Sequence, residues 1–267
     1  MALSPNVNVM LRAAEKAARS LLRDFGEVEQ LQVSMKGPAD FVSAADRRAE
    51  SIIYEELSKA RPDFSFLMEE GGEVKGRDGE NRFIIDPLDG TNNFLHGLPH
   101  WAISIGLETR GEIVAGIIYD PVKDEMFRAE KGGGAFMRNK RLRVSGRRDL
   151  TLSVIAGGAP ALTRGDRPAY LRQLNAILSQ TAGFRRNGAA ALDLAYVAAG
   201  RFEGYWEADL KPWDVAAGAL IVKEAGGFVG TIKNSGKGNA IYDGDVLATN
   251  DSLFETLRKI LANAANE

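Results

Sequence analysis

Residues 86–94, Asp-Pro-Leu-Asp-Gly-Thr-Asn-Asn-Phe, set two carboxylates three positions apart directly after the apolar run Phe83-Ile84-Ile85. Such a run, closed by turn-forming residues, reads as the end of a buried strand, and Pro87 with Asp89-Gly90 reads as a tight turn after it. Two acids held on a stiff backbone at a strand's end suit a hard divalent cation, which takes oxygen ligands and often uses one or two carboxylates plus a substrate phosphate. Asp86 is then the bridging acid and Asp89 the terminal one of a site for a pair of ions. The same residues also suit a plain surface turn, so the rest of the chain has to decide.

With 267 residues, 45% of them hydrophobic and 8% aromatic, the chain suffices for one large domain or two packed halves with a sizeable core. A formal net charge of -2 provides no whole-protein field for nucleic acid or anionic lipid. The absence of cysteine excludes disulfides, zinc-thiolate sites, iron–sulfur clusters and a thiol nucleophile. Arg12, Glu15, Lys16, Arg19 and Arg23 interrupt the first thirty residues, so no signal-peptide block is expected, and no later stretch has the length of a membrane span. A cytoplasmic protein without a membrane partner is expected.

Ser4-Pro5 is a cap-and-start signal for a helix with Met10, Ala14, Ala17, Leu21 and Phe25 on its apolar face and Gly26 as its stop. Lys36 to Ser43 reads as a polar loop, followed by a helix over Ala45 to Ala60 that ends at Arg61-Pro62. Short strands are expected at 64–68, 83–85, 101–108, 112–119 and 125–129, with Arg110-Gly111 as a hairpin turn. After about residue 150 strands at 153–156, 202–207 and 246–249 alternate with helices near 167–180, 189–199, 214–224 and from Ser252. The pattern predicts an α+β half with an antiparallel sheet over residues 1–145 and an α/β half over 146–267.

Three further acidic groups accompany the first. Glu69-Glu70 follows a β-like run, Asp214 precedes an apolar helix, and Asp40 and Asp46 flank the start of the second helix, with Lys36 four residues before Asp40. Taken singly, a solvated edge explains Glu69-Glu70 and helix capping explains the others. What changes the odds is their occurrence in order: Lys36-x-x-x-Asp40-x-Val42-Ser43-x-x-Asp46, Glu69-Glu70, Asp86-Pro-Leu-Asp-Gly-Thr-x-Asn-Phe, and Trp213-Asp214-x-Ala-Ala-Gly with Glu224-Ala-Gly-Gly227. Over nearly the whole chain this pattern resembles the inositol monophosphatase family, including its bacterial extragenic-suppressor branch. That family belongs with the lithium-sensitive, magnesium-dependent phosphatases, among them fructose-1,6-bisphosphatases and bisphosphate nucleotidases. Ser43 stands where the family more often has Thr.

The resemblance implies a layered αβαβα sandwich and a Mg²⁺-dependent phosphomonoesterase acting on inositol monophosphate or a similar small polyol phosphate. It assigns Glu69, Asp86 and the Leu88 carbonyl to one Mg²⁺ and Asp86, Asp89 and Asp214 to a second, with a third, weaker ion near Glu69. Two ions roughly 3.5–4 Å apart clamp the attacking and leaving oxygens of a phosphoryl displacement. Thr91, bonded to Asp46, would orient and help deprotonate the attacking water, with Glu69 holding the metals around it, and the Asp89 side would supply the proton to the departing alkoxide. The backbone of Gly90 and Thr91 would seat the phosphate. Gly188, Ala190 and Glu207 would line the alcohol pocket together with Asp89 and Asp214, and Lys36 and Asp40 would support the metal loop. A homodimer is also implied. The alternatives within enzymes are 3′(2′),5′-bisphosphate nucleotidase and fructose-1,6-bisphosphatase. Outside them stands a regulatory role in transcription or RNA metabolism, exercised through a protein partner from the transcription machinery.

The two histidines, His96 and His100, are expected to be structural, as no Gly-x-Ser-x-Gly supports a serine triad. Gly132-Gly133-Gly134 lacks a phosphate-loop context and reads as a turn between strands. Trp101, Trp206 and Trp213 read as packing anchors. Residues 138–148 hold six basic residues in eleven, which suits a solvated strand face; a polyanion contact is the sharper alternative, and direct nucleic-acid binding is not expected.

Overall fold

The computed structural model describes residues 3–27, 33–37, 40–160, 165–233 and 238–266, with backbone alone for 33–37 and 40–43. Helix α1 (Pro5–Phe25) begins where expected, Ser4 Oγ accepting from Val7 N at 3.3 Å, and ends against Gly26. Its Met10, Ala14, Ala17 and Leu21 are fully buried. Residues 36–37 and 40–43, expected within a loop, instead belong to an antiparallel strand pair, β1 (Val33–Gly37) and β2 (Asp40–Ser43). The side chains of Lys36 and Asp40 lie outside the described residues. Helix α2 (Ala44–Ala60) follows and packs along α1.

An eight-stranded sheet comes next. Its strands are β3 (Ser65–Met68), β4 (Gly72–Val74), β5 (Asn81–Asp89), β6 (Ala102–Thr109), β7 (Glu112–Asp120), β8 (Glu125–Glu130), β9 (Gly134–Met137) and β10 (Lys140–Arg141), in the order β10-β9-β8-β7-β6-β5-β3-β4. The short helix α3 (Thr91–Leu95) leaves the end of β5. The expected antiparallel pairing holds except between β3 and β5, which run parallel. Arg110 and Gly111 both have positive φ, 52° and 79°, as a tight two-residue hairpin requires. Gly132-Gly133 does connect β8 to β9.

The second sheet is built from β11 (Val154–Gly157), β12 (Gly183–Arg185), β13 (Gly204–Glu207), β14 (Phe228–Gly230) and β15 (Val246–Thr249), in the order β12-β11-β13-β15-β14. Its helices are α4 (Arg167–Leu178), α5 (Ala190–Ala198), α6 (Pro212–Glu224), the short α7 (Ala240–Asp243) and α8 (Phe254–Asn266). Helices α5 and α6 lie between the two sheets, α1 and α2 cover the outer face of the first, and α4 and α8 cover the second, giving the layered αβαβα sandwich. Val215 to Val222 of α6 are buried without a break, as befits a helix enclosed on all sides. The close approach of α6 to the first sheet depends on Gly116, because a Cβ there would sit 2.9 Å from both the Cα and the carbonyl oxygen of Ala217. That approach carries Asp214, at the start of α6, to the end of β5.

Candidate active site

Strand β5 does not end in the expected turn but runs on through Pro87 to Asp89. Asp86 pairs with Ser104 and Asp89 with Ala102, so Pro87 and Leu88 oppose the single residue Ile103. Residues i and i+3 of a regular strand face opposite ways; the extra residue of this bulge cancels the mismatch and turns both carboxylates to one side. Pro87, which has no N–H to give, is tolerated at a bulge. Leu88 N donates to Asp86 Oδ1 at 2.9 Å and fixes the first acid.

Asp214 completes the group, and carboxylate oxygens of Asp86, Asp89 and Asp214 all lie within 4.8 Å of one another. It is not the cap residue of α6. Lys211 occupies that position, and Asp214, three residues in, accepts from Lys211 N at 2.7 Å. Burial, and then the charges of Glu69, Asp89 and Asp214, push the Asp86 carboxyl well above the ordinary range. Burial and Asp214 do the same to Asp89, and burial lifts Asp214 to about 6. A buried cluster of like charges made only of oxygen donors fits Mg²⁺, which would offset the repulsion that the carboxylates otherwise relieve by taking up protons.

Glu69, in the half-buried turn after β3, stands outside the 4.8 Å group, though its charge reaches Asp86. Its loop is held by Glu50, which accepts from Glu70 N at 2.9 Å and is itself raised by burial. Glu50 escaped notice in the sequence, although it follows Asp46 by four residues and therefore shares its helix face. Asp46 is only 1% exposed, and its Oδ1 lies 3.0 Å from Thr91 Oγ1, which is 3.1 Å from Leu88 O. The Thr91 hydroxyl hydrogen is thus directed at the protein, leaving a lone pair to accept a proton from water. Phe94, three residues on, packs edge-on against buried Trp101 at 5.1 Å and anchors α3.

The start of α5 meets this loop directly. Ala190 N and Ala191 N donate to the two oxygens of Asp89 at 3.2 and 2.8 Å, so the first turn of α5 receives the carboxylate. Gly90 abuts Gly188 and Ala189 closely. Asn93 Nδ2 reaches both His100 O (2.7 Å) and Asn187 O (2.8 Å), while Asn187 Nδ2 donates to Asp193 Oδ1 at 2.7 Å. Asp193 is raised to about 7 by burial. Sequence reasoning passed over it, although it is the one charged residue in the apolar stretch 189–199. Glu207 at the end of β13 accepts from Tyr205 Oη at 2.6 Å and is likewise raised to about 7 by burial. His100 belongs to the packing: burial lowers it to about 4, and its ring meets Tyr196 edge-on at 5.8 Å. Trp101 and Trp206 are buried, as expected of packing anchors. Within 138–148, Leu142 is buried between exposed basic residues, and Arg138 and Arg147 pair with Asp124 and Glu203.

A model of the inositol monophosphatase family matches residues 3–266. The chain belongs to the inositol monophosphatase family. Among curated members it is 54% identical to the inositol-1-monophosphatase of Rhizobium meliloti, over 98% of this chain and 97% of the relative. It is 39% identical to the Nus factor SuhB of Escherichia coli, over 99% and 97% of the two chains. Among solved members it superimposes on the extragenic suppressor protein SuhB of Bartonella henselae with a TM-score of 0.94 at 55% identity, covering 97% of this chain and 98% of that one. No helix among the described residues is long and apolar enough to cross a membrane.

Proposed function

We propose that the protein hydrolyses inositol monophosphate, or a similar small polyol phosphate, to the free alcohol and inorganic phosphate in a Mg²⁺-dependent reaction. The observation that carries this reading is the convergence of Asp86, Asp89 and Asp214 from two halves of the chain onto one buried point beside the Thr91–Asp46 pair. Asp86, Asp89, Asp214, Glu69 and the Leu88 carbonyl are the ligands for two or three ions. Bound Mg²⁺ supplies the charge that offsets the phosphate and lowers the pKa of water. Thr91 orients the attacking water and accepts its proton while passing its own to Asp46, the buried acceptor 3.0 Å away. The backbone of Gly90 and Thr91 binds phosphate oxygens, and Glu207 with the Gly188–Ala190 turn holds the alcohol. The identity to inositol-1-monophosphatases supports this substrate class over a bisphosphate.

The test is phosphate release from inositol 1-phosphate, fructose 1,6-bisphosphate and adenosine 3′,5′-bisphosphate, each with Mg²⁺, with Mg²⁺ plus Li⁺, and with chelator. Preference for the inositol ester, lost with chelator and reduced by Li⁺, is expected. Preference for another ester moves the substrate, and absence of metal-dependent release from all three rejects the hydrolase. The identity to Nus factor SuhB favours a second reading, a cytoplasmic protein with a partner in the transcription machinery. Affinity capture with nuclease treatment tests that role, and light scattering in solution tests the homodimer.

A further inference from the structure

Glu207 is held in an unusual manner for a residue offered to a substrate. Tyr205 and Glu207, two apart on β13, share a face of the strand, and the fully buried Tyr205 donates its hydroxyl to Glu207 Oε2 at 2.6 Å. On the other side lies Gly158, just beyond β11. A Cβ built on Gly158 would sit 1.7 Å from Glu207 Cδ and 1.8 and 2.0 Å from its two oxygens, so the carboxyl group fills the space where any other residue would carry its side chain. Gly158 cannot retreat freely, because its N–H donates to Trp206 O at 3.1 Å. Oε1 accepts from no donor among the described residues.

We infer that Tyr205 and Gly158 form a clamp that aims Glu207 Oε1 at a hydroxyl of the leaving alcohol, making the enzyme selective for esters of polyols over esters of alcohols with no second hydroxyl. This rests on the proposed role of Glu207 as an alcohol ligand. Tyr205 is a positioning residue: it touches Glu207, not substrate. Burial and the neighbouring Glu207 charge push its phenol well above the ordinary value, so the hydroxyl keeps its proton and stays a donor. Without that donor the carboxylate has a second oxygen to satisfy and is free to rotate away from the alcohol.

The test compares inositol 1-phosphate with p-nitrophenyl phosphate, which has no further hydroxyl, at saturating Mg²⁺. Tyr205→Phe should lower the ratio of the two kcat/KM values about tenfold, chiefly through KM for the inositol ester. Gly158→Ala, which displaces the carboxylate outright, should lower it further with the circular dichroism spectrum retained. Tyr205→Phe in a Glu207→Gln background should add no further loss of selectivity. Equal losses on both esters, or additive losses in the double variant, would overturn the clamp. A wild-type enzyme with a clear preference for a polyol ester that neither Tyr205→Phe nor Gly158→Ala moves leaves the functional reading standing and removes the clamp alone. A wild-type enzyme with no such preference removes both.

Discussion

Asp89 Oδ2 accepts the backbone N–H of Ala191 at 2.8 Å, so a carboxylate of the β5 bulge is also the anion at the N-terminus of α5. One side chain therefore joins β5 to α5 and faces the Asp86–Asp214 cluster. Asp89→Asn would set an amide donor against one of the two helix N–H groups while relieving repulsion inside the cluster, and these effects on the fold oppose each other. The expected outcome is a metal-free protein that melts near the wild-type temperature, with the rise produced by Mg²⁺ largely gone and kcat reduced by about 10³-fold or more. Calorimetry with and without Mg²⁺, alongside phosphate release, checks both, and turnover close to wild type would remove Asp89 from the metal site.

Acidity should act on the metal-free protein in the reverse of the usual sense. Asp214 is raised to about 6, and Asp193 and Glu207 to about 7, each chiefly by burial. A carboxyl raised above its unfolded value stabilises the fold fully below that unfolded value, and the contribution disappears as pH climbs through the folded one. In chelator the melting temperature should fall on the order of 5 °C between about pH 5 and about pH 8, and Mg²⁺ should remove the share that Asp214 contributes, since binding replaces its proton, while the share of Asp193 and Glu207 remains. A chelated protein that is more stable at the alkaline end would contradict the assigned burial of these acids.

In the proposed reaction Thr91 contributes a hydroxyl, and only the hydroxyl matters for chemistry. Its Oγ1 lies 3.0 Å from Asp46 Oδ1 and 3.1 Å from the Leu88 carbonyl, contacts that serine can reproduce and alanine cannot. Thr91→Ala should lower kcat by about 10²–10⁴-fold with a far smaller change in KM, and Thr91→Ser should recover most of the loss. Equal activity of the two variants would assign the water-activating role elsewhere.

Much of this candidate site's grouping could be read in the sequence because its residues are local. Asp86, Asp89 and Thr91 fall within six positions, and the apolar residues before them announce the strand that carries them. The direction of the acids was not legible, since a bulge depends on the register against Ser104 and Ala102 of the neighbouring strand. Edge and short strands such as β4 and β14 were missed for a related reason: their residues are largely exposed or irregularly buried, which leaves no period-2 signal. Asn93 acquires meaning only through a partner brought in by the fold, Asn187, whereas Asp193 and Tyr205 bond to residues near them in sequence, Asn187 and Glu207, that carry no motif to announce the pairing.

Metal affinity should also respond to a residue remote in sequence from Asp86, Asp89 and Asp214. At Gly116 a Cβ would lie 2.9 Å from two backbone atoms of Ala217, and backbone cannot rotate aside as a flexible side chain can. Gly116→Ala must therefore shift α6 relative to the sheet, and α6 is the element that brings Asp214 within 4.8 Å of Asp86 and Asp89. Overpacking of this kind costs about 1–3 kcal/mol, or about 5 °C in melting temperature for a chain of this size. The more telling effect is on the ion: the Mg²⁺ concentration for half-maximal activity should rise several-fold, whereas Gly146→Ala, where an added Cβ meets nothing within 4 Å, should leave it alone. Mg²⁺ titrations of the two variants check this. A destabilised Gly116→Ala enzyme with wild-type metal dependence would mean that the N-terminus of α6 is held at the cluster by its own contacts, independently of how the rest of the helix seats on the sheet.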